Sequence, residues 1–594
     1  MALSRKQKRW MIILGSILLL LIILTIFANS IISNKADTFL RTQLSKLDST
    51  QYIIDYEKIR VNIFNRSVRV YGIRITPSET LLEKTERSPA PPPVIEASVD
   101  RLRITGVGIM AAIKGNAIKV GTIRLRDPGI VVYGKGNLLE YKSQDNGNGS
   151  LFDSDTTAGG QFKGAFLGSF KIDNARMAYI DLLTGDTSMA SNGLNIAVED
   201  IRISQAEGDS LTQVLDIHDL SIELASHHME LPGGFYSMKT AGLNIGYKDG
   251  SFSLDTFQLI PAYPIGSFSK VFGKQTDRFD ISSGNISLSG IVFDSLMNRK
   301  FIAEELVITH PHADICRDKR VARDMSIFPK LFQTAVAELP FQLSIGSVST
   351  FDGYLKYQEI LEGAKYPGMV ILDKLSMDIS GLCNYPDSIK KGQAIHVDAK
   401  AQLMNHSPVQ IYFYLPIGNH AEYFTFHGYA GSFPAVKLNP TLENMVYVEA
   451  TGGTVNNVEF YGMAMKDTAV GRIEFIYTDL AMSVLKKKKE QEGVVEENKF
   501  LSFVARTAMH KNNPHEGKDP RIAKMSFVRD PNKGFFNYFW KTIQNGIIVT
   551  LTPGKKNLAE DMSWAEFKND WRKVLMDDWN ALQLKQEKKN KKKK

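Results

Sequence analysis

The chain has 594 residues, 43% of them hydrophobic, with 45 Gly, 22 Pro and 2 Cys. That apolar content excludes wholesale disorder, and two cysteines exclude a disulfide scaffold or a Cys-rich metal cluster. The formal charge is +8, but Arg5, Lys6, Lys8 and Arg9 contribute +4 and the last ten residues +6, leaving the body near −2. A near-neutral body with basic ends argues against a nucleic-acid-binding surface.

After the basic segment 1–9, Trp10 to Ala28 reads WMIILGSILLLLIILTIFA, nineteen residues without a charge. As a helix this run is about 28 Å long, enough to cross a hydrocarbon core of about 30 Å. Trp10, Leu18, Leu21 and Phe27 are the expected anchor residues, and the flanking cations place the N-terminus in the cytoplasm and the body across the membrane. The competing reading is a signal peptide cleaved near Ala28-Asn29-Ser30. The apolar run exceeds the about 7–15 residues of such segments, which favours an uncleaved single-pass anchor over residues 10–28. Residues 29–50 are expected to form a membrane-proximal helix.

From residue 51 to 485 the dominant period is two. Leu220, Ile222 and Leu224 alternate with Ser221 and Glu223, Leu243 and Ile245 with Asn244, and Val397 to Leu403 with Asp398, Lys400 and Gln402. Each run puts apolar groups on one face of a strand, and such faces either pack on one another as an ordinary sandwich or line a groove open to an apolar ligand. Turn residues such as Asp249-Gly250 and Thr451-Gly452-Gly453 recur between the runs, as antiparallel hairpins require. The expected class is mainly β, with few helices, the best short one near residues 328–338. The chain also repeats. Leu102–Val107 leads to Thr122–Pro128, and Ile286–Ile291 leads to Glu305–Pro311, with an offset of 184 at the glycines and 183 at the prolines. The two copies are expected over about 95–205 and 280–382.

His310-Pro311-His312-Ala313-Asp314 is the most metal-like string, yet the first copy carries Asp127-Pro128-Gly129-Ile130-Val131 at that place, without a ligand set. A strand that happens to carry histidines is the simpler reading, and no metal or other cofactor is expected. His227-His228 reads as a polar turn. Cys316 and Cys383 either pair in an oxidising compartment or remain free. Residues 486–498 are read as a charged connector and 499–556 as a β or irregular segment. Within it 534–551 is apolar and aromatic but interrupted by Lys541 and Gln544, so no second span is expected. Residues 557–594 are read as an amphipathic helix with a basic tail. Ser563 and Glu566 form a capping box, and Trp564, Phe567, Trp571, Leu575 and Leu582 follow at helical spacing. This helix either packs on the β-body as a lid or lies at a membrane interface with its tail on anionic lipid.

The basic N-terminus and single anchor, followed by Tyr56-Glu57-Lys58-Ile59-Arg60-Val61-Asn62-Ile63-Phe64 and on to Ile73, resemble the opening of AsmA-like proteins. Ala117–Leu125 with Pro128–Tyr133, and Gly471–Leu480, are similar to later strands of that family. The resemblance covers roughly residues 5–485. It implies an inner-membrane-anchored periplasmic protein whose body is an elongated, curled antiparallel β-sheet groove, related to bridge-like lipid-transfer proteins. It further implies a role in phospholipid traffic between inner and outer membrane and in outer-membrane integrity, with membrane phospholipids as partners and no catalytic residues. Leu220, Ile222, Leu224, Leu243, Ile245, Val397 and Leu403 are the expected lipid-facing residues. Two alternatives are a periplasmic scaffold that assists outer-membrane protein assembly by strand-edge binding and an envelope hydrolase using His310 and His312.

Overall fold

A computed structural model of the chain describes residues 29–42, 44, 51–88, 93–107, 118–140, 165–205, 213–364, 366–418, 423–485, 509–552 and 562–591. The anchor residues Trp10, Leu18, Leu21 and Phe27 and the connector 486–498 lie outside these residues. Among the described residues no helix is long and apolar enough to cross a membrane. A helix over 29–42 opens the described chain. The fold is mainly β and divides into two units, Met1–Leu254 and Asp255–Lys594.

The first unit contains β1 (Tyr52–Asp55), β2 (Lys58–Asn62), β3 (Ser67–Pro77), β4 (Val94–Thr105), β5 (Ile118–Arg126) and β6 (Gly129–Gly134). It continues with β7 (Ala165–Asp181), β8 (Thr187–Gln205), β9 (Gln213–Asp216), β10 (Asp219–Glu230), β11 (Tyr236–Gly246) and β12 (Ser251–Leu254). β1 and β2 both pair with β3, β3 pairs with β4, and β4 pairs with β5 and β6, all antiparallel. β5 and β6 then pair in parallel with the long β7. The antiparallel order β7–β8–β10–β11–β12 completes the unit, with β9 also on β8.

The second unit contains β13 (Thr256–Pro261), β14 (Asp277–Ser283), β15 (Ile286–Ser289), β16 (Lys300–Thr309), β17 (His312–Asp318), β18 (Gln342–Ile360) and β19 (Gly368–Cys383). It continues with β20 (Ala394–Leu403), β21 (Ser407–Pro416), β22 (Phe424–Ala430), β23 (Phe433–Pro434), β24 (Val448–Ala464), β25 (Thr468–Val484) and β26 (Ile522–Val528). β16 and β17 lie parallel to β18. From β18 the strands run antiparallel through β19, β20, β21, β22, β24 and β25 to β26.

The sheet is therefore mixed, which corrects the expectation of a purely antiparallel one. Period-two alternation reports which face is buried, whereas strand direction is set by the connections. Parallel neighbours need a long crossover, and residues 319–341, with the short helix Phe332–Ala337, supply one between β17 and β18.

Both units carry the same corner. In the first, Asp127 has φ +47° and Asn174 φ +55°; the Asp127 amide donates to the Asp173 carbonyl (2.9 Å) and the Arg176 amide to the Pro128 carbonyl (2.8 Å). In the second, His310 has φ +48° and Asp352 φ +53°; the His310 amide donates to Phe351 (2.8 Å) and the Tyr354 amide to Pro311 (2.7 Å). A left-handed residue ends one short strand, Pro starts the next, and the long parallel partner bulges opposite them. Asn and Asp tolerate this backbone better than most side chains.

Both clusters of buried apolar residues found among the described residues lie in the second unit, whereas the first buries only scattered side chains such as Val94 and Tyr179. The stretch read as β or irregular carries β26 and a 17-residue helix, Phe535–Leu551. Tyr538, Phe539, Thr542, Ile543, Gly546 and Thr550 recur at helical spacing and are buried against the sheet. Lys541 and Gln544 lie off this stripe and hydrogen-bond each other at 2.8 Å, so they do not break the helix. Gly546 permits the close approach: a Cβ there would lie 2.5 Å from Ile473 Cγ2 and 2.6 Å from Met525 Cγ.

The opposite sheet face carries two helices, Trp564–Asn569 and Trp571–Lys591, which meet at Asp570. The capping box forms as the spacing requires. The Glu566 amide donates to Ser563 Oγ (3.2 Å) and the Ser563 amide to Glu566 Oε2 (2.8 Å). Ser563→Ala is expected to cost about 1 kcal/mol, read as a lower urea midpoint with an unchanged slope.

Candidate functional site

Register turns the alternation of the first unit into rows. Ile59, Val70, Leu102, Leu125, Ile172, Ile196, Ile222, Ile245 and Phe252 are successive cross-strand partners on β2, β3, β4, β5, β7, β8, β10, β11 and β12. A second row beside it runs Val61, Val68, Ile104, Ile123, Phe170, Val198 and Leu220. On the other flank Leu194, Leu224 and Leu243 are partners. Apart from Ile59, which is buried, these side chains are half-buried. Both buried apolar clusters of the described residues lie in the second unit, so none forms over this face. The reverse face is polar, with Asn195, Glu223, Asn244 and Ser253 in one row.

Five of the expected lipid-facing residues, Leu220, Ile222, Leu224, Leu243 and Ile245, fall in these rows. Val397 does not share their setting. It belongs to the row Leu288, Leu306, Val348, Ile379, Val397, Phe413 and Phe426, and with Ile379 and Phe413 it packs against the core covered by the Phe535–Leu551 helix. The reason is that helix, whose apolar stripe takes the place an apolar ligand would need. Leu403 is half-buried at a strand end, opposite Leu372. The first-unit members Ile59, Val70, Leu102, Leu125, Ile172 and Ile196 were missed, although Leu102 and Leu125 sit in strands whose alternation is plain. Cross-strand register was the missing signal.

The aromatic face of the C-terminal helices is turned to the sheet. Phe567, Trp571 and Leu575 are buried with Met463 and Val470, and Trp564 packs beside them. Trp564 Nε1 and Lys568 Nζ reach Glu459 Oε2 at 3.0 and 3.1 Å, and Asp578 pairs with Arg472 (3.4 Å) and Lys524 (3.1 Å). These contacts are those of a lid. Beside the lid, a cleft of about 350 Å³ is lined by Asp378, His396, Asp398, Tyr414, His427 and Arg572, among others. Gln410 Nε2 donates to Asp398 Oδ1 (2.8 Å) and Ser349 Oγ to Asp378 Oδ1 (3.1 Å), so both carboxylates already have partners.

His427 stacks between Tyr412 (4.4 Å) and Tyr461 (5.4 Å). Burial, and then the nearby Arg572 cation, hold its pKa below the ordinary 6.5. The unfolded chain therefore takes up this proton first, and stability falls as pH drops below about 6.5 until the folded-state pKa is passed. His427→Gln is expected to flatten the profile of unfolding free energy between pH 7 and 5. An unchanged slope would remove His427 from the account.

His310, His312 and Asp314 do not converge. His310 is an exposed corner residue 3.5 Å from Asp352, His312 stacks on Tyr354 at 4.7 Å, and Asp314 pairs with Lys356 at 2.8 Å. His227-His228 lies within β10 rather than in a turn, and His227 Nδ1 is 2.8 Å from Ser191 Oγ. Cys316 and Cys383 are both free, and burial pushes the Cys316 thiol up to about 11. No group of three or more His, Cys, Asp or Glu among the described residues is placed to hold a metal ion. No protein-family model matches the chain, and no curated protein is significantly similar to it.

Proposed function

We propose that this is a non-enzymatic envelope protein of the AsmA-like kind. In this reading residues 10–28 hold it in the inner membrane, its body lies in the periplasm, and the apolar face of the first unit shelters phospholipid acyl chains. Such a face would support phospholipid movement between inner and outer membrane and so outer-membrane lipid homeostasis. The observation that carries the proposal is the nine-strand row from Ile59 to Phe252, apolar at every position, with no buried cluster over it among the described residues.

Eight strand intervals of about 4.8 Å make the row about 38 Å long, measured along the sheet. An apolar stripe of that extent in water favours an apolar occupant, at about 0.8 kcal/mol for each methylene it buries. The metal-like string and the cleft support a ligand that is held rather than transformed: His310, His312 and Asp314 each engage a different neighbour, and Asp378 and Asp398 already accept hydrogen bonds. Mass spectrometry of lipid extracted from the washed full chain tests the reading. It predicts at least one phospholipid per chain beyond what an Ile196→Glu, Ile222→Glu chain retains. Equal amounts in the two would contradict it.

A further inference from the structure

The reverse face of the first unit is basic where the apolar face begins. Arg60, Arg69, Arg103, Arg124 and Lys171 are successive partners across β2, β3, β4, β5 and β7. In the adjacent row Lys58, Tyr71, Arg101, Arg126 and Asp173 are partners. Asp173 neutralises Arg124 with two hydrogen bonds, of 2.5 and 3.0 Å, and Glu199 pairs with Lys171 at 2.8 Å. Among the described residues, Lys58, Arg60, Arg69, Arg101, Arg103 and Arg126 make no ion pair. Three of them, Lys58, Arg60 and Arg101, instead crowd the Tyr71 ring at 5.1–5.9 Å. Like charges directly opposite one another repel across a sheet, so such a set calls for an external counter-charge.

A second observation specifies the kind of counter-charge. The turn joining β2 to β3 exposes Phe64 at 71% and Ile63 at 45%. That turn is tied to the first residues of the 29–42 helix. The Ile63 amide donates to Asn29 Oδ1 (3.1 Å) and the Val61 amide to Ser33 Oγ (2.9 Å). Asn29 directly follows the apolar run that ends at Ala28. Ile31 and Ile32 on the same helical turn are also exposed. An apolar tip beside unpaired arginines, one residue from a candidate membrane segment, matches a bilayer interface better than an acidic protein, which would offer Phe64 no hydrocarbon.

We propose that the first unit docks by this corner on an anionic phospholipid surface, with Phe64 and Ile63 entering the interface and the cation rows on lipid phosphates. Acyl chains on the opposite face are not required, so this proposal and the functional one fail separately.

The test reconstitutes the full chain into vesicles of brominated phosphatidylcholine, with or without 30 mol% phosphatidylglycerol (about a third anionic lipid). The readout is the difference in tryptophan quenching between Phe64→Trp and the parent chain. Strong quenching is expected in anionic vesicles and little in neutral ones. Adding Arg69→Gln, Arg101→Gln and Arg103→Gln, with circular dichroism unchanged, is expected to weaken docking about a hundredfold. Equal quenching in both vesicles would overturn the role of charge. No quenching in either, even with retention on soluble polyglutamate, would overturn the membrane as partner.

Discussion

Phe426→Ala is expected to destabilise the second unit by about 3–5 kcal/mol. Phe426 is 1% exposed, and its ring lies 6.0 Å from Phe424, 6.2 Å from Phe460 and 5.0 Å from Phe539. Gly462 leaves room for it, since a Cβ at residue 462 would lie 2.1–2.6 Å from three atoms of the ring. Truncation removes the side chain on which the Phe535–Leu551 helix and β24 both close, as its contacts with Phe539 and Phe460 show, and leaves a cavity that a close-packed interior fills only in part. Urea unfolding followed by near-ultraviolet circular dichroism reads the loss. A change below about 1 kcal/mol would mean that the helix does not seal this face.

Ile222→Glu in the first unit is expected to behave in the opposite way. Its neighbours Ile196 and Ile245 are half-buried, so a carboxylate there stays hydrated and stability changes by about 1 kcal/mol or less. Once hydrocarbon covers the face, the same carboxylate is buried at a cost of about 3 kcal/mol. Affinity for a fluorescent phospholipid is therefore expected to fall more than a hundredfold, while the urea midpoint moves little. Unfolding of the first unit by this single change would mean that its apolar face is a closed core. The pair of substitutions separates a covered sheet face from an open one by measurement.

The contrast between these two sites also explains what could be read from the sequence. Period-two alternation identified the strands around Leu220–Leu224, Leu243–Ile245 and Val397–Leu403 and the apolar side of each. It did not distinguish Ile222 from Val397, because both alternate equally well and differ only in what lies over them. What lies over Val397 is a helix more than 130 residues later, whose Lys541 and Gln544 disguised an otherwise continuous apolar stripe. The direction of β7 and β18 was hidden for a related reason: parallel pairing follows from crossovers, and alternation carries no sign of them. Local rules served better at the C-terminus. The capping box at Ser563 and the buried spacing of Phe567, Trp571 and Leu575 needed only adjacent residues, although the break at Asp570 did not show. The basic rows were invisible for want of register. Arg60, Arg69, Arg103 and Arg124 are scattered through 65 residues of sequence and become neighbours only when the strands pair.

Photo-crosslinking in living cells tests the central claim most directly. A photoreactive residue is placed in the full chain at Ile196, Ile222 or Ile245 on the apolar rows, and at Asn195, Glu223 or Asn244 on the reverse face. The account predicts phospholipid adducts, identified by mass spectrometry, from the first three positions and none from the second three. Adducts at neither set, or equally at both, would contradict it.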